Sequence, residues 1–251
     1  MTRQIFSTLI LTSIGILFGV MSLLAQEIPE PMKMKSAMTE IWEPEVVAVT
    51  PGVPDDNGAT KAPSDAVVLF DGKDLSAWEN KDGKEAGWMV HDGVFTVEKG
   101  TGDIFTKQKF EDFQLHIEWK VPAGITGENQ ARGNSGIFLQ NVYEIQVLDS
   151  YENRTYKNGQ AGSIYKQSPP LKNAMRPPGQ WNVFDIIYTA PRFKDDGTLF
   201  HPAYVTVIHN GVVIQNHTQI TGHTPNTGLP RYTAHGKGSI RLQDHRDPSE
   251  A

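Results

Sequence analysis

From residue 65 onward the chain is a series of short runs in which apolar and polar residues alternate, broken by Gly, Asp and Asn. A period of two is the signature of strands that bury one face. The runs AVVLF, WMV, VFTV, DIFT, FQLHIEWKV, SGIFLQ, YEIQVL, WNVFDIIYT, AYVTVIH, VVIQNH and SIRLQDH are predicted strands, most of them rich in Val, Ile, Phe, Tyr and Thr. FQLHIEWKV is the clearest: Phe113, Leu115, Ile117, Trp119 and Val121 share one face, and Gln114, His116, Glu118 and Lys120 the other. HDG at 91–93 and HNG at 209–211 predict tight hairpin turns, because Asp or Asn before Gly accepts the positive φ such turns need. No helix of ordinary length emerges. Many short strands with regular turns predict an all-β fold, a two-sheet jelly-roll sandwich in one domain.

Two runs carry an unusual polar face. YEIQVLDS sets Glu144 and Gln146 on one side with Leu148, while Asp149 falls on the wrong side unless a β-bulge near Leu148 turns it. SIRLQDH sets Arg241, Gln243 and His245 against Ile240, Leu242 and Asp244. A sheet face with such donors and acceptors is a common way to bind sugar hydroxyls. Trp181, by contrast, reads as core rather than as a sugar platform.

Upstream the pattern changes. In residues 1–25, Arg3 precedes an uncharged apolar run from Ile5 to Leu24 that ends at Ala25, the pattern of a secretory signal peptide. Its length also suits an uncleaved anchor, the only route to a membrane that the sequence offers. Residues 26–64, with EIPEPMKMK and TPGVPDDNGATKAP, read as a flexible Pro-rich linker in which EVVAVT could add a strand. The folded domain is then 65–251, and the expected location is periplasmic or extracellular. Cys is absent, which removes disulfides and thiolate chemistry. The net charge of -6, with no basic block, argues against nucleic acid as a partner. The eight His residues include no HExxH or H-x-x-x-H spacing, so no zinc site is signalled. There is no Gly-rich dinucleotide motif.

The stretches LFDGKDLSAW, RGNSGIFLQNVYEIQVLDS, GSIYKQSPPLKNAMRPPGQWN and VTVIHNGVVIQNH, running on to RLQDH, resemble the 3-keto-disaccharide hydrolase domain family across Val68 to His245. The resemblance implies a concanavalin-like jelly roll related to laminarinase-type glycosidases, acting on glycosides whose sugar is oxidised at carbon 3. The substrate carbohydrate would then be oxidised by a separate dehydrogenase. Three departures stand out: Arg246 where the family tends to have Gly, Ser239 for a frequent Pro, and a chain that ends in RDPSEA where a further strand is expected, so a C-terminal strand is expected to be missing.

Ordinary glycoside hydrolysis pairs two carboxyl groups, which laminarinase-type enzymes carry on one strand as Glu-x-Asp followed by Glu. Here the positions hold Glu144, Gln146 and Asp149, so the middle acid is replaced by an amide. A ketone at carbon 3 acidifies the hydrogen at carbon 2, which allows elimination across carbons 1 and 2 followed by hydration, for net hydrolysis. That route needs a base near neutral pH, an acid and donors for the enolate. The catalytic candidates are Glu144, Asp149 and His245, with either Glu144 or His245 as base. Arg132, Asn134, Gln140, Gln146, Lys166 and Gln243 are the candidates for binding substrate. Jelly rolls of this kind often hold a structural calcium, a divalent cation whose site the sequence does not place. The competing readings are a non-catalytic carbohydrate-binding module of the same fold and a laminarinase-like hydrolase.

Overall fold

The structure is a computed structural model that describes residues 38, 40, 41, 43–54 and 60–246 of the 251. The expected signal peptide and the chain end beyond Arg246 lie outside them. Among the described residues no helix is long and apolar enough to cross a membrane. Residues up to Val49 form one unit and those from Thr50 onward another. EVVAVT, residues 45–50, joins no ladder, and Val46 and Val47 are exposed.

The regular structure of the second unit is almost wholly strand: β1 (Val53–Pro54), β2 (Thr60–Lys61), β3 (Trp78–Asn80), β4 (Met89–His91), β5 (Val94–Thr96), β6 (Ile104–Thr106), β7 (Phe113–Lys120), β8 (Ser135–Leu139), β9 (Tyr143–Val147), β10 (Trp181–Thr189), β11 (Arg192–Phe193), β12 (Leu199–His201), β13 (Tyr204–His209), β14 (Val212–Gln219) and β15 (Arg241–Leu242). A five-stranded sheet, ordered β3-β6-β15-β8-β9, faces a four-stranded sheet, ordered β14-β13-β10-β7. Every pairing is antiparallel. The core between them joins Ile104, Ile137, Leu139, Tyr143, Ile145 and Leu242 of the first sheet to Leu115, Phe184, Ile186, Tyr188, Val205 and Ile214 of the second. This is the β-sandwich that the alternation predicts.

The local chemistry explains the elements. At the β4–β5 hairpin Asp92 and Gly93 have φ of 52° and 75°, and at the β13–β14 hairpin Asn210 and Gly211 have 51° and 82°, the left-handed pair a two-residue turn requires. On β7 the odd-numbered residues turn toward the core and the polar ones outward.

Four expectations are corrected. AVVLF forms no strand: Val67 and Val68 are about half exposed, and the Leu69 carbonyl accepts the Trp78 indole N–H at 2.7 Å. SIRLQDH shrinks to the two residues of β15, because the carboxylate of Asp103 takes the Asp244 N–H at 2.9 Å while that of Asp244 turns to the Gly100 and Gly102 N–H groups. A two-stranded ribbon, β1 with β2, forms inside the Pro-rich segment expected to be linker. Trp181 is not core; it lies on the outer face of β10 with the Lys120 ammonium 4.8 Å above its ring.

Candidate active site

The side of the five-stranded sheet turned away from the core carries the polar residues the alternation singled out. Register places them in rows. Glu79 pairs with Phe105, Phe105 with Arg241, Arg241 with Phe138 and Phe138 with Glu144, so one row crosses all five strands. The segment after residue 162 extends it: Ile164 bridges Ile145, and the Tyr165 N–H donates to the Glu144 carbonyl at 3.1 Å. Tyr165 thereby sits beside Glu144. A second row holds Gly136, paired with Gln146, and Gln243, whose N–H donates to the Gly136 carbonyl at 3.1 Å.

Gly136 shapes the centre of this face. A Cβ there would lie 2.6 Å from Glu144 Oε1 and 2.8 Å from the Phe138 ring, so the carboxyl of Glu144 occupies the space a side chain would need. Glu144 is 6% exposed, and burial pushes its carboxyl up to about 8, against the pull of the Arg241 guanidinium and with the help of the Asp103 charge. Arg241 stacks 3.5 Å over the Phe138 ring and pairs with Asp103 at 2.9 Å. Across the recess, the Tyr156 and Tyr165 hydroxyls are 3.0 Å apart, and burial, then the hydrogen bond to Tyr165, and least the Glu144 charge raise the Tyr156 phenol. Lys166 lies 5.6 Å from both tyrosine rings and donates to the Asn226 side-chain oxygen at 2.8 Å and to the Asn226 carbonyl.

Three polar atoms near this centre are buried without a partner: Gln146 Oε1, Gln243 Oε1 and Arg241 Nε. Two acceptors flank Gly136 on either side, where hydroxyl donors would satisfy them. The Gln146 amide N–H groups are already committed, to Asn134 Oδ1 at 2.7 Å and to the Val147 and Ser135 carbonyls. The Oε1 lone pairs of that buried amide are left uncommitted.

The other candidates lie elsewhere. Asp149 is fully buried, 2.8 Å from Arg132 Nε, and its carboxylate caps the Tyr151 N–H. Arg132 also donates to the Tyr151 carbonyl. β9 ends at Val147 with Leu148 fully buried, so no bulge carries Asp149 onto the face of Glu144. Arg132 and Asp149 thus form an ion pair that holds a loop. Asn134 orients Gln146 and donates to the Gln130 carbonyl at 2.8 Å. Gln140 accepts the Tyr188 hydroxyl at 2.7 Å and donates to the Phe110 and Gly236 carbonyls, which locks the β8–β9 turn. His245 is exposed beyond the end of β15. Among the described residues no three carboxylate or imidazole groups gather as ligands for a metal ion.

Sequence reasoning passed over Tyr156, Tyr165 and Asp103. Asp103 lies in the predicted strand DIFT and Tyr165 in the motif GSIYKQSPPLKNAMRPPGQWN, but only pairing in three dimensions brings them to Glu144. Arg241 was visible in the alternation of SIRLQDH, and its place beside Gln243 is the signal that could have added it.

Similarity to known proteins agrees with the fold. A curated 3-keto-disaccharide hydrolase of Bacteroides thetaiotaomicron is 30% identical over 157 residues, covering 48% of this chain and 51% of the relative, so the chain spans about half the length of the curated relative it matches. A 2.13 Å crystal structure of a candidate glycosyl hydrolase from Parabacteroides distasonis ATCC 8503 is 64% identical, with a TM-score of 0.83, covering 86% of this chain and 92% of that one. The model of the 3-keto-alpha-glucoside-1,2-lyase-like domain matches residues 65–250, and the chain belongs to that family.

Proposed function

We propose that this chain cleaves glycosides whose sugar carries a ketone at carbon 3, with Glu144 as the base. The observation that carries the reading is a carboxyl buried on a polar sheet face with its pKa near 8. A general base works best when its pKa lies near the working pH, and burial also strengthens it toward a carbon acid. Glu144 takes the proton from carbon 2, and the electron pair forms an enolate on the carbon 3 oxygen. Collapse of the enolate restores the ketone, expels the oxygen on carbon 1 and leaves a double bond between carbons 1 and 2. Water then adds to carbon 1 while carbon 2 regains a proton, which completes net hydrolysis.

Arg241, whose charge acts on Glu144, and Lys166, over the Tyr156 and Tyr165 rings, are the cations that suit the enolate oxygen. The Gln146 and Gln243 amide oxygens suit sugar hydroxyls. The Tyr156 hydroxyl, which donates to Gln130 Oε1 at 3.1 Å and lies 3.0 Å from the Tyr165 hydroxyl, is a protonated phenol at neutral pH and can turn that proton to the departing oxygen. Between the two candidate bases, burial favours Glu144 over the exposed His245. The Asp149–Arg132 pair speaks against a laminarinase-like mechanism with two carboxyl groups. The segment at 1–25 supports export, with the oxidation at carbon 3 done by another protein.

The test is incubation of the protein with a 3-keto disaccharide and with its unoxidised parent. Release from the keto sugar alone is expected. Release from both would sink the role of the ketone, and binding of the keto sugar without release would favour the binding module. Export is checked by the intact mass of the protein recovered from its native host, which should lack the first 25 residues.

A further inference from the structure

The row that ends at Glu144 begins in a second concavity of the same sheet. A cavity of about 490 Å³ is lined by Glu79 and Phe105 of that row together with Lys81, Lys109, Lys237 and Ser239. Register places Phe105 three strands from Glu144, about 14 Å at the usual strand spacing. The separation suits the far part of a substrate whose reacting sugar lies at Glu144.

The cavity's charge runs against that of the molecule. Three ammonium groups meet one carboxylate, on a chain with a formal net charge of -6. Among the described residues none of the three lysines is ion-paired with a carboxylate. Gathering like charges around one hollow is unfavourable without a counter-charge, and a concave wall focuses their field. The wall is also held firmly. Gly238 lies so close to the β8–β9 turn that a Cβ would meet the Gln140 carbonyl oxygen at 2.5 Å, and the Gln140 amide ties the Gly236 carbonyl at 3.2 Å. His235 is tied in turn to the Tyr143 hydroxyl at 2.7 Å. Phe105 supplies an apolar surface within an otherwise polar lining.

We propose that this cavity receives the leaving part of the glycoside and selects leaving parts that bear an anionic group, a carboxylate or a sulfate. The inference rests on the assignment of Glu144 as the reacting centre. It adds a substrate class that the family resemblance does not contain.

The experiment uses three 3-keto-glucosides that differ only at a remote position of the leaving alcohol: benzyl, 4-carboxybenzyl and 4-sulfobenzyl. Calorimetric binding to the full chain carrying Glu144→Gln should be about fivefold to tenfold tighter for the two anionic ligands than for benzyl at low salt. The ratio should shrink at 0.5 M salt and fall toward one in a chain that also carries Lys109→Gln and Lys237→Gln. Preference for only one of the two anions would narrow the class to carboxylates or to sulfates. Equal binding of all three ligands, binding of none, or a ratio that survives loss of both lysines would overturn the inference. The keto-cleavage reading is scored separately, by release of benzyl alcohol from the neutral compound by the unaltered protein. The binding ratio decides the subsite whichever way that result falls.

Discussion

At the scale of single residues the function turns on how Glu144 is desolvated. With its carboxyl near 8, rate should climb with pH and level off above about 8 if Glu144 is the base, and an acid role would give the opposite slope. A pH–rate profile on a 3-keto substrate reads this directly. Glu144→Gln should lower kcat by about 10²–10⁴-fold, the usual contribution of a positioned base. Gly136→Ala should act through the same group, since its methyl would take the place of Glu144 Oε1. The expected result is a fold destabilised by about 1–3 kcal/mol and a loss of activity larger than that instability explains, measured as kcat at a temperature where the variant is fully folded. Asp149 supplies the contrast. Asp149→Ala leaves the Arg132 guanidinium without its partner in a loop where the carboxylate is wholly buried, at a cost of about 3 kcal/mol. Activity per folded molecule should survive, and loss of activity in a folded Asp149→Ala protein would return Asp149 to the catalytic group.

At the scale of elements, the turns and the strand ends set where the site residues stand. The β13–β14 hairpin depends on Gly211, at φ of 82° in open space, so Gly211→Ala tests backbone conformation free of any clash. Its expected cost is about 1 kcal/mol in denaturant unfolding, with the slope against denaturant unchanged. The faces of β7, β8, β9 and β10 follow from alternation, which is a property of each strand alone. AVVLF has the same alphabet and forms no strand, because a ladder needs a neighbour and this segment has none. SIRLQDH keeps its alternation, with Ile240, Leu242 and Asp244 all buried, yet its ladder is cut short by the carboxylates of Asp103 and Asp244. Propensity describes what a segment can do, and competition for its N–H groups decides how far it does so.

At the scale of the whole molecule, the site and the fold pull against each other. A carboxyl whose folded pKa is raised from 4.5 to about 8 binds its proton more tightly in the native state, so its stability contribution is present below pH 4.5 and falls as pH rises through that window to 8. His209, buried against Trp119 and Phe184 and lowered to about 4, has the opposite slope: its burial costs stability as pH falls from 6.5 toward 4. Glu144→Gln should therefore raise the Tm at pH 8 and leave it almost unchanged at pH 4.5, a difference on the order of 4 kcal/mol at the upper end. Equal Tm shifts at both pH values would mean that Glu144 is not held protonated by burial.

The sequence by itself determined the sandwich, the two hairpin turns and the polar face that holds Glu144, Gln146, Arg241 and Gln243. Alternation and left-handed turn residues are local properties, legible along the chain. It could not separate Glu144 from Asp149, because the two are five residues apart and differ only in which way the chain carries them after Val147. Tertiary structure decided that difference by giving Asp149 to Arg132 and leaving Glu144 beside Gly136. It also brought Arg241, nearly a hundred residues further on, and Tyr156 and Tyr165 to the same carboxyl. A pKa near 8 is a statement about the solvent and charges around a group, and those are supplied by strands that no local pattern places side by side.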